Sequence, residues 1–332
     1  MSEFDVLCIG NAIVDIIARA EDDFLHENGI IKGAMNLIDA ERAELLYERM
    51  GPAIETSGGS AGNTAAGIAS LGGSAAFFGK VCQDHLGGIY RHDIRAQGVA
   101  FDTGPLNGHP PTARSMIFVT PDGERSMNTY LGACVELGPD DVEEAKVAAS
   151  KVTYFEGYLW DPPRAKEAIR ASAEIAHSHG REVAMTLSDP FCVDRYRDEF
   201  LDLMRSGTVD IVFANQDELK SLYQTADFDT ALAAIREDCA LGVVTRSELG
   251  SIAVRKGETA SVAAHEIDDL VDTTGAGDLY AAGFLHGYTA GRSLEDCANL
   301  GSLAAAIIIQ QIGPRPQVSL RQAAIDGGLI RG

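Results

Sequence analysis

The sequence predicts an α/β protein: a three-layer α/β/α sandwich around a mostly parallel sheet, with a small second sheet beside it. Three observations predict this. Short apolar runs alternate with helical segments of ordinary length, glycines close those helices, and one region of consecutive extended runs breaks the alternation. Strand and helix in alternation require crossover connections, and crossovers cover both faces of a parallel sheet.

Taken in order, residues 5–9 (DVLCI) read as a first strand running into Gly10. Residues 63–71 (NTAAGIASL) read as a helix stopped by Gly72-Gly73. Residues 75–81 (AAFFGKV) form the next strand, and a helix follows to Gly98. Four further apolar runs at 152–156, 183–187, 210–214 and 241–245 read as strands, with helical segments such as 162–179 between them. The exception is 115–119 (SMIFV) and 125–131 (RSMNTYL), which flank Thr-Pro-Asp-Gly-Glu and predict a β-hairpin. Residues 12–19 and 35–38 are also strand-like, so these pieces form either a small separate sheet or ordinary edge hairpins.

The chain of 332 residues carries 49 acidic and 27 basic side chains, a formal net charge of −22. That balance excludes a nucleic-acid partner, which needs a basic footprint, and a polybasic membrane contact. No apolar stretch reaches the roughly 18–20 residues that span a bilayer, and no basic region precedes an apolar core as in a signal peptide. The six cysteines have no CxxC spacing, so neither a zinc site nor a disulfide framework is indicated. A cytoplasmic enzyme of small molecules, monomeric or homodimeric, is the expectation.

The most informative segment is 272–278, Asp-Thr-Thr-Gly-Ala-Gly-Asp, followed by an apolar helix in which Ala281, Phe284, Leu285 and Tyr288 share one face. Gly275, Ala276 and Gly277 lie where a loop enters that helix. Small residues there let backbone N–H groups converge, and the helix N-terminus adds partial positive charge, which makes an anion hole. Asp278 puts a carboxylate beside it. An anion hole next to a carboxylate suits phosphoryl transfer, the N–H groups holding developing charge while the carboxylate accepts a hydroxyl proton. The plainer reading is an acid capping a helix after a glycine turn.

Four weaker segments accompany it. Gly58-Gly59-Ser60-Ala61-Gly62-Asn63 leads into a helix, and its glycines suit close approach of a polyhydroxylated ligand. It also fits the GxSxG pattern of hydrolases, but the run before it, GPAIETS, is a poor buried strand. Asp15 lies inside the apolar run AIVDIIA after Gly10-Asn11, so it either holds sugar hydroxyls or faces solvent from an edge strand. Asn215-Gln216-Asp217-Glu218 follows the run DIVFA, where a strand end faces the ligand crevice. These acids organise Mg²⁺ near nucleotide phosphates or simply start a helix. Thr245-Arg246-Ser247-Glu248-Leu249-Gly250 is at another strand end and suits a phosphate loop. The eight histidines show no metal-binding spacing.

Together these segments, in this order along nearly the whole chain, resemble the ribokinase-like (phosphofructokinase-B type) family of sugar and nucleoside kinases. GNAIVDI, GGSAGNTA, NQDE and DTTGAGD carry the resemblance. It implies one kinase domain over 1–332, with a lid formed by roughly 12–38 and 102–132. It implies that Asp278 is the general base and Gly275, Ala276 and Gly277 the anion hole for the γ-phosphoryl group of ATP. Asn215 and Glu218 match the motif that organises Mg²⁺ through water. Thr245, Ser247 and Gly250 would lie along ATP, and Ser302 in the helix bordering adenine. Asn11, Asp15, Gly58, Gly59 and Asn63 would hold the substrate's sugar hydroxyls. Asp272 sits where such kinases hold a monovalent cation such as K⁺.

Within the family the chain looks most like adenosine kinases, through GN followed by DI at 11–16, TLSDPF at 186–191 and AAAIIIQQIG at 304–313. In that branch the base lies against lid residues, here Leu37, Met127 and Leu131, with Tyr158. Ser247 departs from a position that is often glycine, and Asn36, Asn128 and Thr129 add polarity to the lid. Arg125, on the second hairpin strand, either swings over the phosphate or makes a surface ion pair. The expected activity is ATP-dependent phosphorylation of a ribonucleoside 5′-hydroxyl, with a kinase of ribose or fructose as the alternative. A dehydrogenase would need GxGxxG after its first strand, and GNAIVD stands there instead.

Overall fold

The computed structural model describes residues 3–331. Its main sheet has eight strands in the order β13-β12-β11-β10-β9-β8-β1-β5. These are β1 (Phe4–Ile9), β5 (Ala75–Phe78), β8 (Ser150–Glu156), β9 (Glu182–Thr186), β10 (Ile211–Asn215), β11 (Leu241–Thr245), β12 (Ser251–Arg255) and β13 (Glu258–Val262). Strands β5 to β11 of that order run parallel, and only β12 and β13 pair antiparallel, at one edge.

The strand period explains the three layers. On β1, Val6 and Cys8 face one core and Leu7 and Ile9 the other. Both faces are covered, so the strand reads as a continuous apolar run rather than an alternation. Each fully buried Leu or Ile of such a strand contributes roughly 1.5–3 kcal/mol.

One layer holds the helices Ser60–Ser70, Ala276–Thr289 and Leu294–Ile308, and the other holds Pro163–Ser178, Pro190–Arg205 and Phe228–Asp238. Helix Ala276–Thr289 is buried all round from Leu279 to Leu285, rather than along the single face expected from Ala281, Phe284, Leu285 and Tyr288. It lies beneath two other helices as well as the sheet. Gly67 lets it approach helix Ser60–Ser70 closely, since a Cβ at Gly67 would come within 2.6 Å of Ala282 Cβ and Leu279 Cδ1. That approach carries the first turn of one helix to the first turn of the other.

The second sheet is separate, in the order β3-β7-β6-β2-β4. It comprises β2 (Ile13–Arg19), β3 (Met35–Leu37), β4 (Ala53–Ser57), β6 (Ala113–Val119) and β7 (Arg125–Tyr130). The run GPAIETS, a poor buried strand by sequence, supplies β4 at the sheet's edge, where Ile54 is 65% exposed. Strand β2 is flanked by β6 and β4, so Asp15 is not on an edge strand and is 5% exposed. No helix among the described residues is long and apolar enough to cross a membrane.

Candidate active site

Two cavities open at the strand ends of the main sheet, and both are lined by Ser60, Ser188 and Asp278. The first, about 210 Å³, lies over the C-terminal ends of β10 and β11. Asn215, Glu218, Thr245, Gly275, Ala276, Gly277 and Asp278 line it. The second, about 320 Å³, lies between the main sheet and the small one. Asn11, Asp15, Gly59 and Asn63 form its polar side, and Leu37, Met127, Leu131 and Tyr158 its apolar side.

Asp278 sits where the cavities meet. Ser60 Oγ donates to its Oδ1 at 2.6 Å, and Asn63 Nδ2 donates to its Oδ2 at 2.9 Å. Burial raises its pKa, and these two donors oppose that rise by favouring the carboxylate. The Ser60 hydroxyl thus serves the aspartate with no histidine between them, which removes the hydrolase reading of GxSxG.

The loop Gly275-Ala276-Gly277 is built by backbone conformation. Gly275 has φ +81° and lies against Pro314, whose Cβ would stand 2.9 Å from a Cβ on Gly275. An L side chain is excluded there twice, by conformation and by space. A Cβ on Gly277 would meet nothing within 4 Å, so that glycine leaves open space over the helix N-terminus for a ligand.

Asp15 faces the second cavity, and burial pushes its pKa to about 7, against the partial relief of Arg125 and Arg315. Gly58 backs it rather than lining the cavity, because a Cβ there would come within 2.3 Å of Asp15 Oδ2. Gly59 has φ +82° and leaves no space for a Cβ beside the Asn11 carbonyl.

Glu156 completes this floor and escaped the sequence reading. It is 1% exposed and accepts from Asn11 N at 3.0 Å, Asn11 Nδ2 at 2.7 Å and Ala61 N at 2.8 Å. Burial raises its pKa to about 7. With Nδ2 committed to Glu156, the buried Asn11 Oδ1 has no protein partner and remains as an acceptor. The available signal was positional: Glu156 ends β8, and strand ends face the crevice. Ser188, at the junction of the cavities, has φ 74°, an uncommon conformation for a non-glycine residue.

Asn215 and Glu218 make a reciprocal helix cap: Asn215 Oδ1 accepts from Glu218 N at 2.9 Å, and Glu218 Oε2 accepts from Asn215 N at 2.9 Å. Glu218 is nonetheless 5% exposed with its pKa raised by burial to about 7, so the plain capping reading and the cavity position hold together. Ser247, Gly250 and Ser302 do not line the first cavity. The Ser302 hydroxyl accepts from His265 N at 2.8 Å. Ser247 takes φ 50° in its turn. A glycine relieves the left-handed strain, so Ser247→Gly is expected to stabilise the protein by about 0.5–1 kcal/mol, read as a raised urea midpoint at unchanged slope.

Asp272, the position matched to a monovalent cation, is engaged with protein donors in this structure. Its carboxylate is taken by the Arg125 guanidinium, by Gly313 N at 3.0 Å and by Thr274 N at 3.0 Å. Against the cost of burial, these donors hold its pKa below the usual range. Arg125 makes no surface ion pair, since the two side chains are only 12% and 7% exposed. Its buried Nε and Nη2 have no protein partner. Among the described residues no group of three or more His, Cys, Asp or Glu side chains is placed to hold a metal ion.

The model of the pfkB family carbohydrate kinases matches residues 4–320. An adenosine kinase of Schizophyllum commune is 28% identical, covering 95% of this chain and 97% of its own. The solved structure of an adenosine kinase from Sinorhizobium meliloti is 73% identical with TM-score 0.94, covering 98% of this chain and 100% of that one. A probable sugar kinase from Rhizobium etli CFN 42 is 69% identical with TM-score 0.96, covering 99% of this chain and 100% of that one.

Proposed function

This chain belongs to the pfkB family of carbohydrate kinases, and from that premise we propose that it moves the γ-phosphoryl group of ATP to the 5′-hydroxyl of a ribonucleoside, adenosine foremost. One observation carries the reading: the two cavities converge on Asp278, with the glycine loop on one side and sugar-binding groups on the other.

Asp278 accepts the hydroxyl proton as the oxygen attacks phosphorus. The bond from the γ-phosphorus to the bridging oxygen breaks, and ADP leaves. The N–H groups around Gly275, Ala276 and Gly277 face the charge that spreads over the transferring group. Arg125, with two unmatched N–H edges beside Thr274, adds a cation from the lid side. When bound, Mg²⁺ would neutralise charge on the phosphates, and Glu218, which borders the first cavity while capping the helix with Asn215, is the carboxylate that would orient its water shell. Closure of the small sheet excludes water, so the phosphoryl group reaches a hydroxyl rather than hydrolysis.

The apolar wall supports a nucleoside over a free sugar. Met35 and Leu37 on β3 are 39% and 49% exposed and border the second cavity, a surface that a flat base would cover. The S. meliloti relative, called an adenosine kinase, supports the same choice. Coupled ADP release at fixed ATP and Mg²⁺ tests it over a panel of nucleosides and sugars. Adenosine is expected to give the highest kcat/KM. Preference for ribose or fructose over every nucleoside would overturn the nucleoside reading and favour the sugar kinase.

A further inference from the structure

We infer that Arg315 is a positioning residue of the transfer reaction: it holds the Asn63 amide so that Asn63 can act on Asp278 only as a donor. The inference rests on Asp278 being the base, as proposed above.

Arg315 belongs to the loop Gly313-Pro314-Arg315, which touches each part of the reaction centre. Gly313 N donates to Asp272 Oδ2 at 3.0 Å, and Pro314 backs Gly275. Arg315 is 7% exposed and makes no ion pair among the described residues. Its donors go to neutral oxygens: Nε to Asn63 Oδ1 at 3.3 Å, Nη1 to Gln97 Oε1 at 3.0 Å and Nη2 to the Gly58 carbonyl at 3.1 Å. The guanidinium carbon lies 5.4 Å from the centre of the Tyr90 ring. A buried cation without a carboxylate in direct contact is costly, and the more distant charges of Asp15 and Asp93 offset it only in part.

The consequence lies in the amide. Asn63 presents an oxygen at one end and NH₂ at the other. With Oδ1 committed to Arg315, Nδ2 is the end that faces Asp278 Oδ2, at 2.9 Å. A donor favours the carboxylate form of Asp278, whereas a rotated amide would accept from the carboxylic acid and favour that form. Arg315 removes the second option, which favours the carboxylate against the rise that burial imposes. Other charged and titratable groups also face Asp278. Asp15 lies on β2, Glu156 and Tyr154 on β8, and Cys8 on β1. Glu218 stands across the phosphate cavity, and the Asp272–Arg125 pair lies at the start of the loop. None of these contacts the Asn63 amide, but Arg315 also relieves the raised pKa of Asp15, so the Asn63→Ala background is what isolates the part that runs through the amide.

The test compares kcat–pH profiles of the wild type, Arg315→Met, Asn63→Ala and the double variant, with the nucleoside preferred in the panel. Losing one neutral hydrogen-bond preference moves a pKa by about half to one unit, so the acid limb of Arg315→Met is expected to move up by that much. At pH 6 to 7 its kcat falls about threefold to tenfold, while KM changes less. In the Asn63→Ala background, removing Arg315 is expected to move the limb no further.

If Arg315→Met does not fold, Arg315→Lys carries the same comparison, because one ammonium cannot reach all three oxygens. An unmoved acid limb in the folded variant, or shifts that add in the double variant, overturns the inference. Asp278→Asn separates the two ideas. A wild type without kinase activity defeats the kinase reading itself, and an active Asp278→Asn defeats the assignment of Asp278 as the base. A dead Asp278→Asn with an unmoved Arg315 limb defeats only the role of Arg315.

Discussion

Asp278→Asn is expected to lower kcat by about 10³ while nucleoside affinity stays within a few-fold, since general-base catalysis contributes about 10²–10⁴. The substitution keeps size and polarity at the meeting point of the two cavities but removes the proton acceptor. Ser60 and Asn63, which hold the side chain at 2.6 Å and 2.9 Å, remain in place. Single-turnover phosphorylation and nucleoside titration by calorimetry separate chemistry from binding. Turnover within about tenfold of wild type would end the assignment of Asp278 as base.

Asp15→Asn is expected to weaken the nucleoside's KM by one to two orders of magnitude and, in the free protein, to raise stability at alkaline pH. The first effect follows from losing charge-assisted hydrogen bonds to sugar hydroxyls, each about 1.5–3 kcal/mol. The second follows from linkage. Burial raises the Asp15 pKa from 3.8 to about 7. Its contribution to stability is therefore full below about pH 4 and is lost as pH rises through about 7. The full shift of about three units is worth on the order of 4 kcal/mol. Asparagine carries no such penalty. Its melting temperature should exceed that of the wild type at pH 8 by several degrees, and the gap should narrow by more than half at pH 5 and close below about pH 4. Parallel melting curves at both pH values would contradict the burial account. A carboxylate that costs stability is what a binding role for Asp15 would require the wild type to keep.

The parallel sheet and the anion-hole loop were legible in the sequence because their signals are local. Runs such as DVLCI and VTYFE are apolar on both faces, and DTTGAGD joins a turn to an apolar helix within a few residues. Strand β4 was not legible, because Ala53 and Ile54 are exposed and an edge strand needs no buried face. Glu156 was hidden as the last letter of an apolar run. Asp15 was seen as anomalous, yet its place on an interior strand depended on β4 pairing beside it.

By itself, the sequence determined the layered α/β architecture, the order of the motifs and many, though not all, of the residues that line the two cavities. Periodicity, glycine placement and short-range capping are properties of neighbours along the chain. Tertiary structure alone decided what those residues do to one another. It placed Arg125 on Asp272, where a monovalent cation was expected, and put Glu156 beneath Asn11. It also brought Arg315 to Asn63 across 252 positions of sequence. Such contacts depend on helix approach and sheet closure, which bring together side chains that no sequence window contains. The electrostatic state of a carboxylate is set by whichever groups that closure places beside it.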